Sequence, residues 1–261
     1  MTPPRPRREI PWWLAALAGL GVWFAIEIAR DPAYRTIANV LWRGLGVTLG
    51  VSVTAFVLAA LLGLALALAA LSRSILLRQA ARFYVEVMRG VPILVLLLYV
   101  AFVGVPLGVA GWNALAVRLG LEPLLTRDVS MLARAVIALA LAYSAFLAEI
   151  FRAGIQAVDP GQLEAAKSLG LPRWPRFRFV VLPQAIRIVL PPLGNDFVAL
   201  VKDSALVSVL GVMDVTQLGK LHAASSFRYM ETYNVVAFAY LVMTIGLSLA
   251  LRALEKRLRR R

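Results

Sequence analysis

The stretches GLGVTLGVSVTAFVLAALLGLALALAAL, residues Gly44–Leu71, and GVPILVLLLYVAFVGVPLGVAGWNALAV, residues Gly90–Val117, contain no charged side chain. A helix needs roughly 20 apolar residues to cross a bilayer core of about 30 Å, and both stretches exceed that. A helix in a soluble core keeps a polar face, so uncharged runs of this length mark membrane spans. Six segments read this way, at about 11–29, 44–71, 84–108, 129–150, 187–212 and 232–252. Arg134 interrupts the fourth near its start. The fifth is the least regular, because Pro191, Pro192, Gly194, Asp196, Lys202 and Asp203 break its apolar run. The expected fold is all-α, a polytopic membrane protein of about six transmembrane helices.

Composition agrees. The 261 residues are 61% hydrophobic with a mean hydropathy of +0.78, whereas soluble domains average about 45–50% apolar. Cysteine is absent, which excludes disulfides, thiolate metal sites and a cysteine nucleophile. His222 is the only histidine, which excludes a multi-histidine metal centre and most histidine-based catalysis. No GxxxxGK[ST] phosphate loop is present, so this chain is expected neither to bind nor to hydrolyse ATP. No catalytic residue and no metal site are expected.

The net charge of +14 could mean nucleic-acid binding, but the basic residues sit at the ends of apolar runs. One set of connections carries Arg5, Arg7 and Arg8, then Arg73, Arg78 and Arg82, then six basic residues between Arg152 and Arg187, then the tail Arg252–Arg261. The alternating set carries only Arg30, Arg35, Arg43, Arg118, Arg127, Lys220 and Arg228. Excess Lys and Arg mark the cytoplasmic side, so both termini are expected inside. No small-residue cleavage site follows the first apolar run, and Pro11–Ala29 is expected to be a retained helix. No repeat of 20–50 residues appears, which disfavours a transporter built from inverted repeats. The expected organisation is an N-terminal tail and extra helix at 1–43, a membrane domain at 44–252 and a basic tail at 253–261. Gly46, Gly50, Gly63 and Ala67 suggest close helix packing, within the chain or between two chains.

The longest polar connection is EIFRAGIQAVDPGQLEAAKSLGLPRWPRFRFVVLP, Glu149–Pro183. Asp159 is a good N-cap, and Pro160 stands at the first helical position, where its missing N–H costs nothing. Gly170 reads as a left-handed helix end with Pro172 beyond it. A helix of about ten residues is predicted between them, some 15 Å long. Ala165 and Ala166 keep its surface low. Two readings fit these features equally: a docking knob for a partner, or a loop helix lying on lipid headgroups.

This stretch resembles the EAA loop of binding-protein-dependent ABC importer permeases. The family pattern is Glu-Ala-Ala, three residues, Gly, nine residues, Ile, one residue, Leu-Pro. The sequence has Glu164-Ala165-Ala166, Gly170, Val180 and Leu182-Pro183, with Val180 for Ile as the one departure. RGVPILVLL at Arg89–Leu97, AYSAFLAEIFRAGIQAV at Ala142–Val158 and LPQAIRIVLPPLGNDFVALVKDSALVSVLGV at Leu182–Val212 are similar to segments of the polar amino-acid permeases, the histidine, glutamine and arginine group. The resemblance covers about residues 44–252. It implies a type I ABC importer permease fold and an amino-acid transport role in the inner membrane. It also implies two permease subunits, homo- or heterodimeric, two ABC ATPases and an external amino-acid-binding protein. ATP and magnesium would be held by the ATPase, with no cofactor in this chain. The coupling residues it implies are Glu164, Ala165, Ala166, Leu169 and Gly170. Family members usually have five spans, so the helix at 11–29 is an addition.

Ionisable groups at membrane depth cost roughly 2.5–3.5 kcal/mol each on insertion scales and face the interior or a cavity. The substrate-pathway candidates on that ground are Asn195, Asp196, Lys202, Asp203 and Ser204 in the fifth segment, with Ser208 beside them. Glu86 and Arg89 in the third segment, and Tyr143, Ser144 and Glu149 in the fourth, are possible partners. A zwitterion needs an acceptor for its ammonium, such as Asp196 or Asp203, and donors for its carboxylate. Backbone N–H groups near Pro191–Gly194 could supply the latter. Lys202 and Asp203 could instead pair with each other and serve structure. The competing functions are a permease for another small polar solute, an ion-coupled secondary transporter, and a membrane scaffold without transport.

Overall fold

The computed structural model describes residues 12–259, all of them in helices and short connections. The basic flank Arg5, Arg7 and Arg8, with Arg260 and Arg261, lies outside the described residues. Helix α1 (Trp12–Arg30) is followed at once by α2 (Pro32–Ala70). Asp31 separates them: its backbone is extended, and its carboxylate accepts from the Ala33 N–H at 2.7 Å. Next come α3 (Ile75–Gly90), α4 (Ile93–Tyr99), a π-helical turn (Val100–Gly104) and α5 (Val105–Leu119). Helix α6 (Met131–Gln156) leads to α7 (Pro160–Ser168) and α8 (Arg173–Arg176). A second π turn (Phe177–Val181) opens α9 (Leu182–Asp203), which tightens into a 3-10 segment (Ser204–Leu210). Helices α10 (Val215–Ser226) and α11 (Tyr229–Arg259) complete the chain.

Five described segments are long and apolar enough to cross a membrane: Pro32–Ala70, Ile93–Leu119, Met131–Gln156, Arg173–Leu210 and Tyr229–Arg257. The sequence suggested about six, and α1 is not among these five. Its Phe24 packs on Tyr34 of α2 and Phe238 of α11, with ring centroids 5.6 and 4.9 Å apart. At 39 residues α2 is about 58 Å long by its rise, well beyond a bilayer core. The expected boundary at Gly44 therefore falls inside it.

The third span also begins later than expected. Residues 84–90 belong to α3, a separate amphipathic helix, and the apolar helix starts at Ile93. The cause is local. Pro92 forces its predecessor out of the helical region, and Val91 is extended at φ −96°, ψ 132°.

The core is built by α2 lying along α6, the most extensive helix pairing among the described residues. Ala55, Ala59 and Ala67 are fully buried there. A Cβ on Gly63 would come within 2.9 Å of the Ser144 carbonyl oxygen, so only glycine permits that approach. Gly46 and Gly50, expected to share this role, have open space around them. Arg134 is buried without a carboxylate partner among the described residues. Its guanidinium donates to the backbone carbonyls of Val129 and Ala101 at 3.0 and 2.9 Å and to that of Thr126. At the opposite end from α7, buried Asp214 caps α10 through the Gln217 N–H and accepts from the Tyr240 hydroxyl. Burial pushes its carboxyl above the usual range, opposed chiefly by these hydrogen bonds.

Candidate functional site

Helix α7 forms between the boundaries its sequence specifies. Asp159 accepts from the Gly161 N–H at 2.7 Å, and Pro160 occupies the first turn. At the other end Gly170 is left-handed at φ +75°. The Gly170 N–H donates to Lys167 O at 2.9 Å and the Leu171 N–H to Ala166 O at 3.1 Å, the paired bonds of a Schellman end. The helix is thus rigidly terminated at both ends while most of its surface is open. Glu164, Ala165 and Gly170 are exposed, and Leu169 projects with 81% of its surface accessible. Ala166 is different: it is 4% exposed and faces its own chain. The expectation that Ala165 and Ala166 both lie on the docking surface is corrected here, because residues one apart on a helix point about 100° away from each other. The Gln184 side-chain amide donates to Gln162 Oε1 at 2.6 Å and ties α7 to α9.

Between α2, α3 and the C-terminal end of α6, the helix that leads into α7, lies a charged cavity of about 440 Å3. Arg82, Glu86 and Arg89 of α3 face Glu149, Arg152 and Gln156 of α6 across it. Both triplets follow i, i+3 or i+4, i+7 spacing, which puts each on one helix face. Arg152 pairs with Glu149 at 2.5 Å, the one ion pair among the described residues, and reaches Gln156 at 3.0 Å. The Arg89 guanidinium lies over the Phe146 ring, 5.6 Å from its centroid. Phe146 in turn packs 5.9 Å from Tyr143. The Tyr143 hydroxyl donates to Asp203 Oδ2 at 2.7 Å. A line of side-chain contacts therefore runs from Asp203 through the Tyr143 and Phe146 rings to Arg89 and the cavity.

Residues 61–261 match the family described as "Binding-protein-dependent transport system inner membrane component". The chain belongs to this family. Among the relatives of this permease is the Bacillus subtilis protein named "Probable amino-acid permease protein YxeN". It is 38% identical over 78% of this chain and 85% of that protein. The Escherichia coli glutamine transport system permease protein GlnP is 33% identical over 84% of this chain and 93% of its own length. Among solved structures, one described as an amino acid ABC transporter with histidines superposes with a TM-score of 0.73. It is 37% identical and covers 86% of this chain and 97% of that one. The methionine transporter MetNI in an inward-facing conformation shares the fold, with a TM-score of 0.67 at 19% identity.

The geometry of this permease sorts the expected pathway residues. Glu86, Arg89 and Glu149 meet in the charged cavity, and Tyr143 meets Asp203. Asp196 is half-buried on the same helix as Asp203, and Asn195 and Lys202 are exposed. Lys202 and Asp203 do not pair, since Asp203 is engaged by Tyr143. Ser144 and Ser204 are fully buried, bonded to the Leu141 and Val201 carbonyls, and offer nothing to a ligand. Ser208 is buried as well. The expectation of freed N–H groups at Pro191–Gly194 is also corrected. Helix α9 runs unbroken through both prolines, and a helical proline frees the carbonyl four residues earlier, here Arg187 and Ile188, not an N–H. Arg82, Arg152 and Gln156, which line the cavity, and Phe146, under Arg89, are neighbours that sequence reasoning missed. The heptad spacing of 82–86–89 and 149–152–156 was the available signal.

Proposed function

We propose that this permease carries an amino acid across the inner membrane as one of a pair of permease subunits in an ATP-driven importer. The observation that carries this reading is the charged cavity on α6, the helix that leads into a rigidly capped, exposed α7. An amino acid presents an ammonium and a carboxylate a few ångströms apart, and the cavity offers carboxylates on Glu86 and Glu149 and guanidiniums on Arg82 and Arg89. The glutamine permease GlnP and the amino acid transporter with histidines are named for such solutes. In this reading α7 seats in a groove of a separate ATPase, which holds ATP and magnesium. Glu164, Ala165, Leu169 and Gly170 form the contact surface, while Ala166 fixes the helix to its own chain. An external binding protein delivers the solute on the α10 side. In this reading α7 faces the cytoplasm, and the spans that follow it return the C-terminus to the same side. Importing a solute requires a cavity with two states and a device that biases them, and α7 is the element through which an ATPase would act.

The test is uptake of a labelled amino-acid mixture by proteoliposomes holding the permease, its ATPase and its binding protein. ATP-dependent accumulation of one or a few amino acids is expected. Accumulation driven by an ion gradient without the ATPase would refute the reading. ATP-driven uptake of another solute alone would reassign the substrate.

A further inference from the structure

We propose that a crevice between α2, α6 and α9 seats an acyl chain of an anionic phospholipid, with its headgroup on the arginines of the α8–α9 segment. The crevice holds about 420 Å3 and is lined wholly by apolar side chains, among them Leu64, Leu68, Phe151, Ile155, Phe177 and Leu190. Its walls belong to three segments long and apolar enough to cross a membrane. A volume of about 420 Å3 is far less than a helix 10–12 Å across would occupy over several turns, whereas a flexible hydrocarbon segment fits it. It is distinct from the charged cavity, with which it shares no lining residue.

What points to the headgroup is charge. Phe177 closes the α7 end of the crevice, and Arg176 and Arg178 flank it in the chain. Arg173 lies one helical turn before Phe177, whereas Arg187 stands ten residues after it, about 15 Å further along α9. Residues 165–195 contain these four arginines and Lys167 and not one acidic side chain. Arg173, Arg178 and Arg187 are exposed, and none of the four meets a carboxylate among the described residues. Arg178 instead lies over the Phe179 ring at 5.7 Å. Trp174, 70% exposed, stacks on Phe177 and supplies the aromatic surface that sits at headgroup level. An uncompensated basic collar above an apolar slot matches a phosphodiester above its acyl chain. A zwitterionic lipid fills the slot equally well, but the choline cation beside its phosphate offsets the attraction of the collar, so headgroup selectivity is the signature.

Native mass spectrometry of the intact permease assembly in detergent tests this without any transport step, so it stands or falls apart from the importer reading. Phosphatidylglycerol and phosphatidylcholine with identical acyl chains are titrated separately. Retention of phosphatidylglycerol should exceed that of phosphatidylcholine by roughly fivefold for each arginine engaged. The triple variant Arg173→Gln, Arg176→Gln, Arg178→Gln should lose that preference and keep the phosphatidylcholine level. Ile155→Trp should fill the slot and lower both lipids; Leu68→Phe, at the rim, serves if that variant does not fold. Equal retention of the two lipids by the unaltered protein, or a preference that survives the triple variant, would overturn the proposal. So would an Ile155→Trp variant that keeps its lipid but no longer pairs with a second permease subunit, which would assign the slot to that subunit.

Discussion

Gln184 in the first turn of α9 donates a 2.6 Å hydrogen bond to Gln162 on α7, across the π turn and α8 that separate them in the chain. This is a side-chain link between the exposed loop helix and the membrane segment that carries Asp196 and Asp203. Force applied to α7 therefore reaches α9 through a short polar bridge as well as through the backbone.

Replacing Gln184 with leucine should leave the assembly intact but loosen this transmission. One such bond contributes about 0.5–1.5 kcal/mol, so the amino acid transported per ATP hydrolysed should drop by a few-fold. Simultaneous measurement of uptake and phosphate release gives that ratio.

The two adjacent alanines should part company. Ala165→Trp alters an exposed surface and should leave the permease's thermal stability unchanged while preventing co-purification of the ATPase. Ala166→Trp forces an indole into a buried position and should destabilise the permease by about 1–3 kcal/mol. Melting curves of both variants, read against ATPase capture, separate the roles.

Arg89 is expected to matter for solute rather than for folding, because it is exposed and its one close partner is the Phe146 ring. A charge-assisted hydrogen bond to a solute carboxylate is worth about 1.5–3 kcal/mol. Arg89→Gln should therefore reduce uptake at low solute by roughly 10- to 100-fold. Arg89→Lys should recover only part of it, since lysine keeps the charge but not the planar fork.

Arg134 is expected to be purely structural. Arg134→Met fills the space but strands the carbonyls of Ala101, Thr126 and Val129, and leaving a buried acceptor unpaired costs about 1–3 kcal/mol. A lowered Tm in detergent, with solute selectivity retained by whatever protein remains folded, is the expected outcome.

These residues show how far the sequence could be read. The α7 boundaries were legible because Asp159, Pro160 and Gly170 act locally: a side-chain cap, a fixed φ and a left-handed end need no tertiary context. The uncharged spans were legible because a bilayer demands their length. Arg134 looked like an interruption, because the three carbonyls that satisfy it come from residues up to 33 positions away. Which of Ala165 and Ala166 faces outward was hidden too, since both are small and only the packing of the segment after α7 back onto it decides it. The third span's late start was written in Gly90–Val91–Pro92, but the apolar residues beyond outweighed it. The charged cavity required knowing that α3 and α6 lie side by side, and neither helix's pattern states its neighbour.

The central claim is that α7 couples an ATPase to amino-acid passage. The most direct measurement is ATP hydrolysis by the reconstituted importer with and without amino-acid-loaded binding protein, for the unaltered permease and for Ala165→Trp. Hydrolysis that the loaded binding protein stimulates in the first and fails to stimulate in the second is the expected result. Stimulation undiminished in Ala165→Trp would contradict it, because a bulky side chain on the contact surface of α7 would then have cost nothing.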